Sequence, residues 1–157
     1  MRLGSLASRT GLNGMINDYL LLIIEYKSPR MSNLDLKKRT KAFAHRCVKA
    51  ALSLPENKLG GHISRQLIRS STSVAANYRA VCLAHSTAAF SSKLSIVIEE
   101  VDESEFWLDF ALDENLFKPQ SVDELKKEAK ELTSIFLSSR KTIQTNKKTA
   151  RPVSNNQ

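Results

Sequence analysis

From Asn33 onward the apolar residues recur at steps of three and four, the spacing of one face of an α-helix. The first stripe runs Leu36, Thr40, Phe43, Cys47, Ala50, Leu54. Asn33 is placed to cap it and Asp35 sits in the first turn, where a carboxylate favours the helix dipole. Pro55-Glu56-Asn57 is expected to stop this helix, with Gly60-Gly61 forming the connection. A second stripe runs Ile63, Leu67, Ser70, Val74, Asn77, Val81. Ser86 is placed to cap a third, which runs Phe90, Leu94, Val97, Val101, Ser104, Leu108, Ala111. Lys118-Pro119-Gln120 breaks the chain again, and Ser121 followed by Glu124 has the spacing of a capping box. The fourth stripe runs Val122, Leu125, Ala129, Leu132, Phe136, Ser139, Ile143.

Four helices of roughly 20 to 26 residues follow from these stripes. Short connections force neighbours to run antiparallel. The pattern therefore predicts an all-α fold, an antiparallel up-down-up-down four-helix bundle over residues 32–146. No alternating strand pattern competes with it. Residues 1–31 read as an N-terminal extension, either disordered or upstream of a working start at Met31, with a short docking strand or helix as the alternative. Its apolar run, Tyr19 to Ile24, is far shorter than the roughly 20 residues that span a bilayer. Residues 147–157 read as a disordered polar tail.

Two features exceed what a plain bundle needs. The second helix carries Ser70, Ser71, Thr72, Ser73, Ala75 and Ala76 almost in one block, which lets neighbouring backbones approach closely. Asn77 falls on the apolar stripe, where a buried amide needs partners. It is expected to fix register through a polar contact, the alternative being a place at the edge of the stripe. The third helix carries Phe106, Trp107, Leu108, Phe110, Ala111 and Leu112 in three adjacent apolar rows. Such breadth calls for cover either from both neighbouring helices or from another subunit.

Charge changes the picture more than composition does. The 157-residue chain has 41% apolar and 25% charged residues and a net charge of +8. Residues 31–98 carry eleven basic and two acidic side chains, whereas residues 99–117 carry eight acidic and no basic ones. A basic chain invites a nucleic-acid reading. The asymmetry offers a rival, in which the basic front half pairs with the acidic stretch within one chain or between subunits. Lys38, Lys41, His45 and Lys49 form a row on the first helix, and Arg65 and Arg69 stack one turn apart on the second. Lys38, Lys41, Lys49, Arg65 and Arg69 are the candidate nucleic-acid contacts, suited to neutralising phosphates without reading bases.

Catalytic chemistry is not visible. None of His45, His62 and His85 lies three residues after a glutamate, as a di-iron bundle requires. Arg39 and Arg79 each precede a histidine by six residues and miss the spacing of a helical ribonuclease. Cys47 and Cys82 are too few for a disulfide scaffold or a four-cysteine zinc site. The chain is expected to be non-enzymatic and cytoplasmic, with no metal, no cofactor and no membrane association.

The second and third helices carry a recognisable order of residues. It runs Arg69-Ser70-Ser71-Thr72-Ser73-Val74-Ala75-Ala76-Asn77-Tyr78, then Ser86 and Phe90, Lys93-Leu94, and Glu103-Ser104-Glu105-Phe106-Trp107-Leu108. This resembles the four-helix bundle protein family, also known as the 23S ribosomal RNA intervening-sequence proteins, with the strong matches between about 65 and 112. The resemblance implies a small bacterial bundle that assembles into a homopentameric ring. The family includes the basic accessory protein of diversity-generating retroelements, which works with a reverse transcriptase and its RNA. On this basis Ser70, Ser73, Asn77, Tyr78, Phe90, Glu103, Phe106, Trp107, Leu108 and Phe110 are motif positions expected to serve packing or an interface. Some relatives carry Glu three residues after the motif Asn; here that position is Ala80, so no role for that carboxylate carries over. The implied partners are further copies of the chain, RNA or DNA, and a protein such as a reverse transcriptase. The rival is a structural or protein-interaction oligomer whose charges serve assembly.

Overall fold

A computed structural model describes residues 33–149. The expectations placed on residues 1–31, on the side chain of Asn33 and on residues 150–157 lie outside the described residues. The described residues form four helices: α1 (Asn33–Leu52), α2 (Lys58–Val81), α3 (Thr87–Asp113) and α4 (Pro119–Thr149). Each packs on the next, and α1 closes the ring on α4, which leaves α1 and α3 across the diagonal. Side-chain pairs fix the directions. His62 meets Trp107 while Arg69 meets Glu103 and Glu100. Asp109 meets Lys126 while Ser95 meets Arg140. In both seams one residue number falls as the other rises, so the helices are antiparallel. The bundle runs up-down-up-down.

The periodic stripes of α3 and α4 are buried at every position, from Phe90 to Ala111 and from Val122 to Ile143. The stripe of α1 drifts by one residue at its end, with Ala51 rather than Ala50 fully covered. That of α2 drifts in the same sense: Tyr78 takes the core position, 1% exposed, and Asn77 stands half-buried at the edge. The expectation that Asn77 lies on the stripe and fixes register is corrected by this turn of the helix. A large aromatic ring gains more from burial than an amide that must then find partners. Tyr78 packs against Phe136 of α4 with ring centroids 5.3 Å apart. The buried hydroxyls of Thr40, Ser71 and Ser139 return to carbonyls in the preceding turn of their own helices, which removes the cost of burying them.

The corners differ from their sequence reading in three places. Gly60 and Gly61 lie inside the first turn of α2, not in the connection. Asn57 is the N-cap, its Oδ1 accepting from the Gly60 amide at 2.8 Å. Gly60 is needed because a Cβ there would run into the carbonyl oxygen of Pro55. At the next corner Ser86 caps α3 as expected, accepting from the Ala89 amide at 3.1 Å. At the third, α3 ends on Asn115 in the left-handed region, φ 57°. The Leu116 amide donates to Ala111 O and the Asn115 amide to Leu112 O, a Schellman closure sealed by Leu116 against the Ala111 cluster. Helix α4 then starts at Pro119, whose missing N–H costs nothing at a first helical position. The capping box does not form: Ser121 Oγ donates to Lys118 O at 2.6 Å and Glu124 pairs with Lys127. Helix α4 also runs to Thr149, past the expected boundary at 146.

Candidate nucleic-acid interface

The outward side of α1 is built by the same periodicity that buries its core side. With Leu36, Phe43 and Cys47 inward, Lys38, Lys41, His45 and Lys49 fall on the opposite side of the helix, and all four are exposed. Among the described residues no carboxylate pairs with Lys38, Lys41 or Lys49. Arg65, on the outward side of α2, is likewise exposed and unpaired. Antiparallel packing sets it level with the far end of α1, since Ser71 lies against Cys47 in the α1–α2 seam. Lys38, Lys41 and Lys49 share the outward face of α1, and Arg65 is a further exposed cation on α2.

Arg69 does not belong to it. The sequence grouped Arg69 with Arg65, but the structure turns its guanidinium onto α3, where it binds Glu103 and Glu100. Its hydrogen bond to Glu103 holds the guanidinium more firmly protonated and pulls the Glu103 carboxyl below its usual range. Glu103 also accepts from Trp107 Nε1 at 3.2 Å. Burial acts oppositely on Glu100, raising it despite the nearby arginine. As a free phosphate ligand Arg69 is therefore corrected: its charge is already matched. The antiparallel α2–α3 direction that makes the pair is implicit in the short 82–86 connection, but the axial offset is not.

Arg39 is the centre of a clasp between α1 and α4. Its Nε and Nη2 donate to Glu128 Oε1 and Oε2 at 2.6 and 2.9 Å, and Nη2 also reaches Glu131. This two-pronged geometry is the strong form of the ion pair. Asp109–Lys126 and Glu105–Lys130 repeat the theme between α3 and α4. The acidic stretch is thus partly consumed inside the bundle.

The motif residues sort into two groups. Ser70, Tyr78, Phe90 and Leu108 are fully buried, with Ser70 and Ser104 hydroxyls hydrogen-bonded at 2.9 Å across α2 and α3. Ser73 and Asn77 are half-buried. Phe106, Trp107 and Phe110 form a ring cluster at the α3 surface. Phe106 is 52% exposed, stacks on Phe110 at 5.8 Å and meets the edge of Trp107 at 4.9 Å. Neighbouring helices leave Phe106 uncovered, whereas Trp107 and Phe110 are half-buried and Trp107 meets His62 of α2. Cys47 is fully buried and its thiol is pushed up to about 12 by burial, so it is not a ready nucleophile. Among the described residues no group of His, Cys, Asp and Glu is placed to hold a metal. No described helix is long and apolar enough to cross a membrane.

The fold defines an all-helical, antiparallel four-helix bundle protein with one basic and one acidic, aromatic-bearing face. Residues 32–138 match the family described as 23S rRNA-intervening sequence protein, and the chain belongs to that family. It is similar to the 1.70 Å crystal structure of a protein of unknown function from the S23 ribosomal protein family of Bacteroides thetaiotaomicron VPI-5482. The two share 28% identity and superpose with a TM-score of 0.63, over 67% of this chain and 97% of the other. No curated protein matches the chain.

Proposed function

We propose that the protein is a non-enzymatic, self-associating nucleic-acid-binding accessory module that grips phosphates through the outward face of α1. One observation carries this reading: Lys38, Lys41 and Lys49 are exposed and unpaired on one helix face, whereas Arg39, Arg69, Lys126, Lys127 and Lys130 all engage carboxylates. Unpaired cations in a row release counterions on meeting a polyanion. The family description, 23S rRNA-intervening sequence protein, is in keeping with RNA as the polyanion.

The test is a salt titration of binding to a labelled structured RNA and to a duplex DNA. Wild type is expected to show a log–log slope of several units. Removing Lys38, Lys41 and Lys49 together should lower the slope by about 2 to 3, near one per lost phosphate contact. Binding that is absent at about 50 mM salt, where such contacts are strongest, would overturn the reading. A second reading, a protein-interaction oligomer without nucleic acid, is favoured by the exposure of Phe106.

A further inference from the structure

The outward face of α3 is the counterpart of the outward face of α1. Glu99, Asp102 and Asp113 are exposed there, and among the described residues no cation pairs with them. Between them stands Phe106, its ring buttressed by Trp107 and Phe110 but half in water. On α1 the unpaired lysines are bracketed by two exposed leucines, Leu34 at 60% and Leu52 at 72%. One face offers carboxylates around an aromatic ring, and the other offers ammonium groups between aliphatic ends. Because α1 and α3 lie across the diagonal of the bundle, the two faces of one chain cannot meet each other.

We propose that the acidic face of α3 docks on the basic face of α1 of a second copy, and that this contact covers the cations that would otherwise meet phosphates. The spacing supports a definite register. With the two helices antiparallel and Phe106 against Leu34, Lys38 falls opposite Asp102, four residues along each helix. Lys41 then falls opposite Glu99, seven residues along each. Positions four and seven apart share a helix face, so both ion pairs form on one side of the apolar contact. The contact is heterologous, using different surfaces in the two copies, so every bound copy still presents one face of each kind. It therefore propagates until it closes. A strip of two to three turns lies at the small end of specific interfaces, so the association is concentration-dependent and weakens with salt. The contact stands on the two faces alone; only its competition with nucleic acid rests on the function proposed above.

The experiment uses the full chain in sedimentation velocity at low and high salt, with E99K/D102K and K38E/K41E as charge reversals. Each variant alone sets like charges against each other, so each should lose the larger species that wild type forms at low salt. Mixed in equal amounts, the two variants present opposite charges wherever they alternate, so species larger than either variant forms alone should return. Circular dichroism and melting establish that both variants are folded. Folded variants that sediment like wild type, or a mixture that stays as small as its components, would overturn the contact. Phe106→Ser, which changes no charge, should also shift wild type toward the smaller species; an unchanged distribution would contradict the register. In a second arm, a labelled RNA hairpin added to wild type should shift the larger species to a smaller RNA-bound one. Phe106→Ser should then bind the hairpin several-fold more tightly. If the hairpin binds neither protein while the mixture still reassembles, the nucleic-acid reading fails and the α1–α3 contact stands. If RNA binds without dissociating the larger species, the competition is overturned.

Discussion

The two seams that close the bundle are held in opposite ways. Between α2 and α3 the charged contacts of Arg69 with Glu100 and Glu103 stay at the half-exposed rim, and the middle of the contact is buried: Ser70 and Ser104 are fully buried, their hydroxyls 2.9 Å apart, with small side chains letting the helices come close. Between α1 and α4 the packing is sparser, and the Arg39 clasp on Glu128 and Glu131 bridges it. The difference shows where specificity comes from in each case. The first seam is defined by shape, which water cannot replace. The second is defined by charge at a half-buried site, where geometry matters because both partners give up part of their hydration.

The comparison can be broken first in the buried middle of the α2–α3 seam. Ser104→Leu places a branched side chain where another hydroxyl already sits, and leaves Ser70 with only its long 3.5 Å hydrogen bond to Leu67 O. Overpacking and the poorly bonded hydroxyl together should cost about 3 kcal/mol in denaturant unfolding. The double change Ser70→Ala with Ser104→Ala removes both polar groups and should be nearly neutral, which separates shape from hydrogen bonding.

At the charged seam, Arg39→Ala should cost about 2 kcal/mol, between the values for exposed and buried pairs. Arg39→Lys keeps the charge but not the fork, and should recover only part of that loss. Measuring both by chemical denaturation tells whether the fork or the charge carries the seam. At the rim of the α2–α3 seam, Arg69→Ala, at a half-exposed site, should cost less than about 1 kcal/mol, and the cost should vanish near 1 M salt.

The smallest effect lies in the acid limb of stability. Arg69 holds Glu103 below its unfolded value, so this carboxylate stabilises the fold above about pH 4.3, and the benefit is lost as pH falls through the depressed folded value. Burial raises Glu100, so its sign is reversed: protonating it on the way down favours the folded state. Glu103→Gln should therefore flatten the fall in melting temperature below pH 5, whereas Glu100→Gln should steepen it. Matching curves for the two variants would show that Arg69 does not distinguish the two carboxylates.

What could be foreseen from the residues alone followed their physics. The stripes of α3 and α4 were legible to the last position because their apolar residues keep a steady helical step over many turns. The drift from Asn77 to Tyr78 was not, since a 3.6-residue helix walks around its axis and either position lies within reach of the core. The corners were the hardest. Asn57, Gly60 and Asn115 act through backbone positions, a carbonyl overhead and a left-handed φ, that leave only single-letter traces in the chain. The candidate surface was half legible. Exposure of Lys38, Lys41 and Lys49 follows from the α1 stripe, but the diversion of Arg69 to Glu103 depends on the axial offset of α2 against α3, which periodicity does not contain. The exposure of Phe106 was equally open, because three apolar rows side by side can be covered from within or from without.

The two cysteines give this protein an internal clock. Cys47 is wholly enclosed between α1 and its neighbours, whereas Cys82, at the end of α2, is half-covered. A thiol reagent can reach Cys82 through fraying of one corner, but it reaches Cys47 only when the helices part. The alkylation rates of the two sulfurs therefore report two different openings of the same molecule, one local and one global, without any label being added.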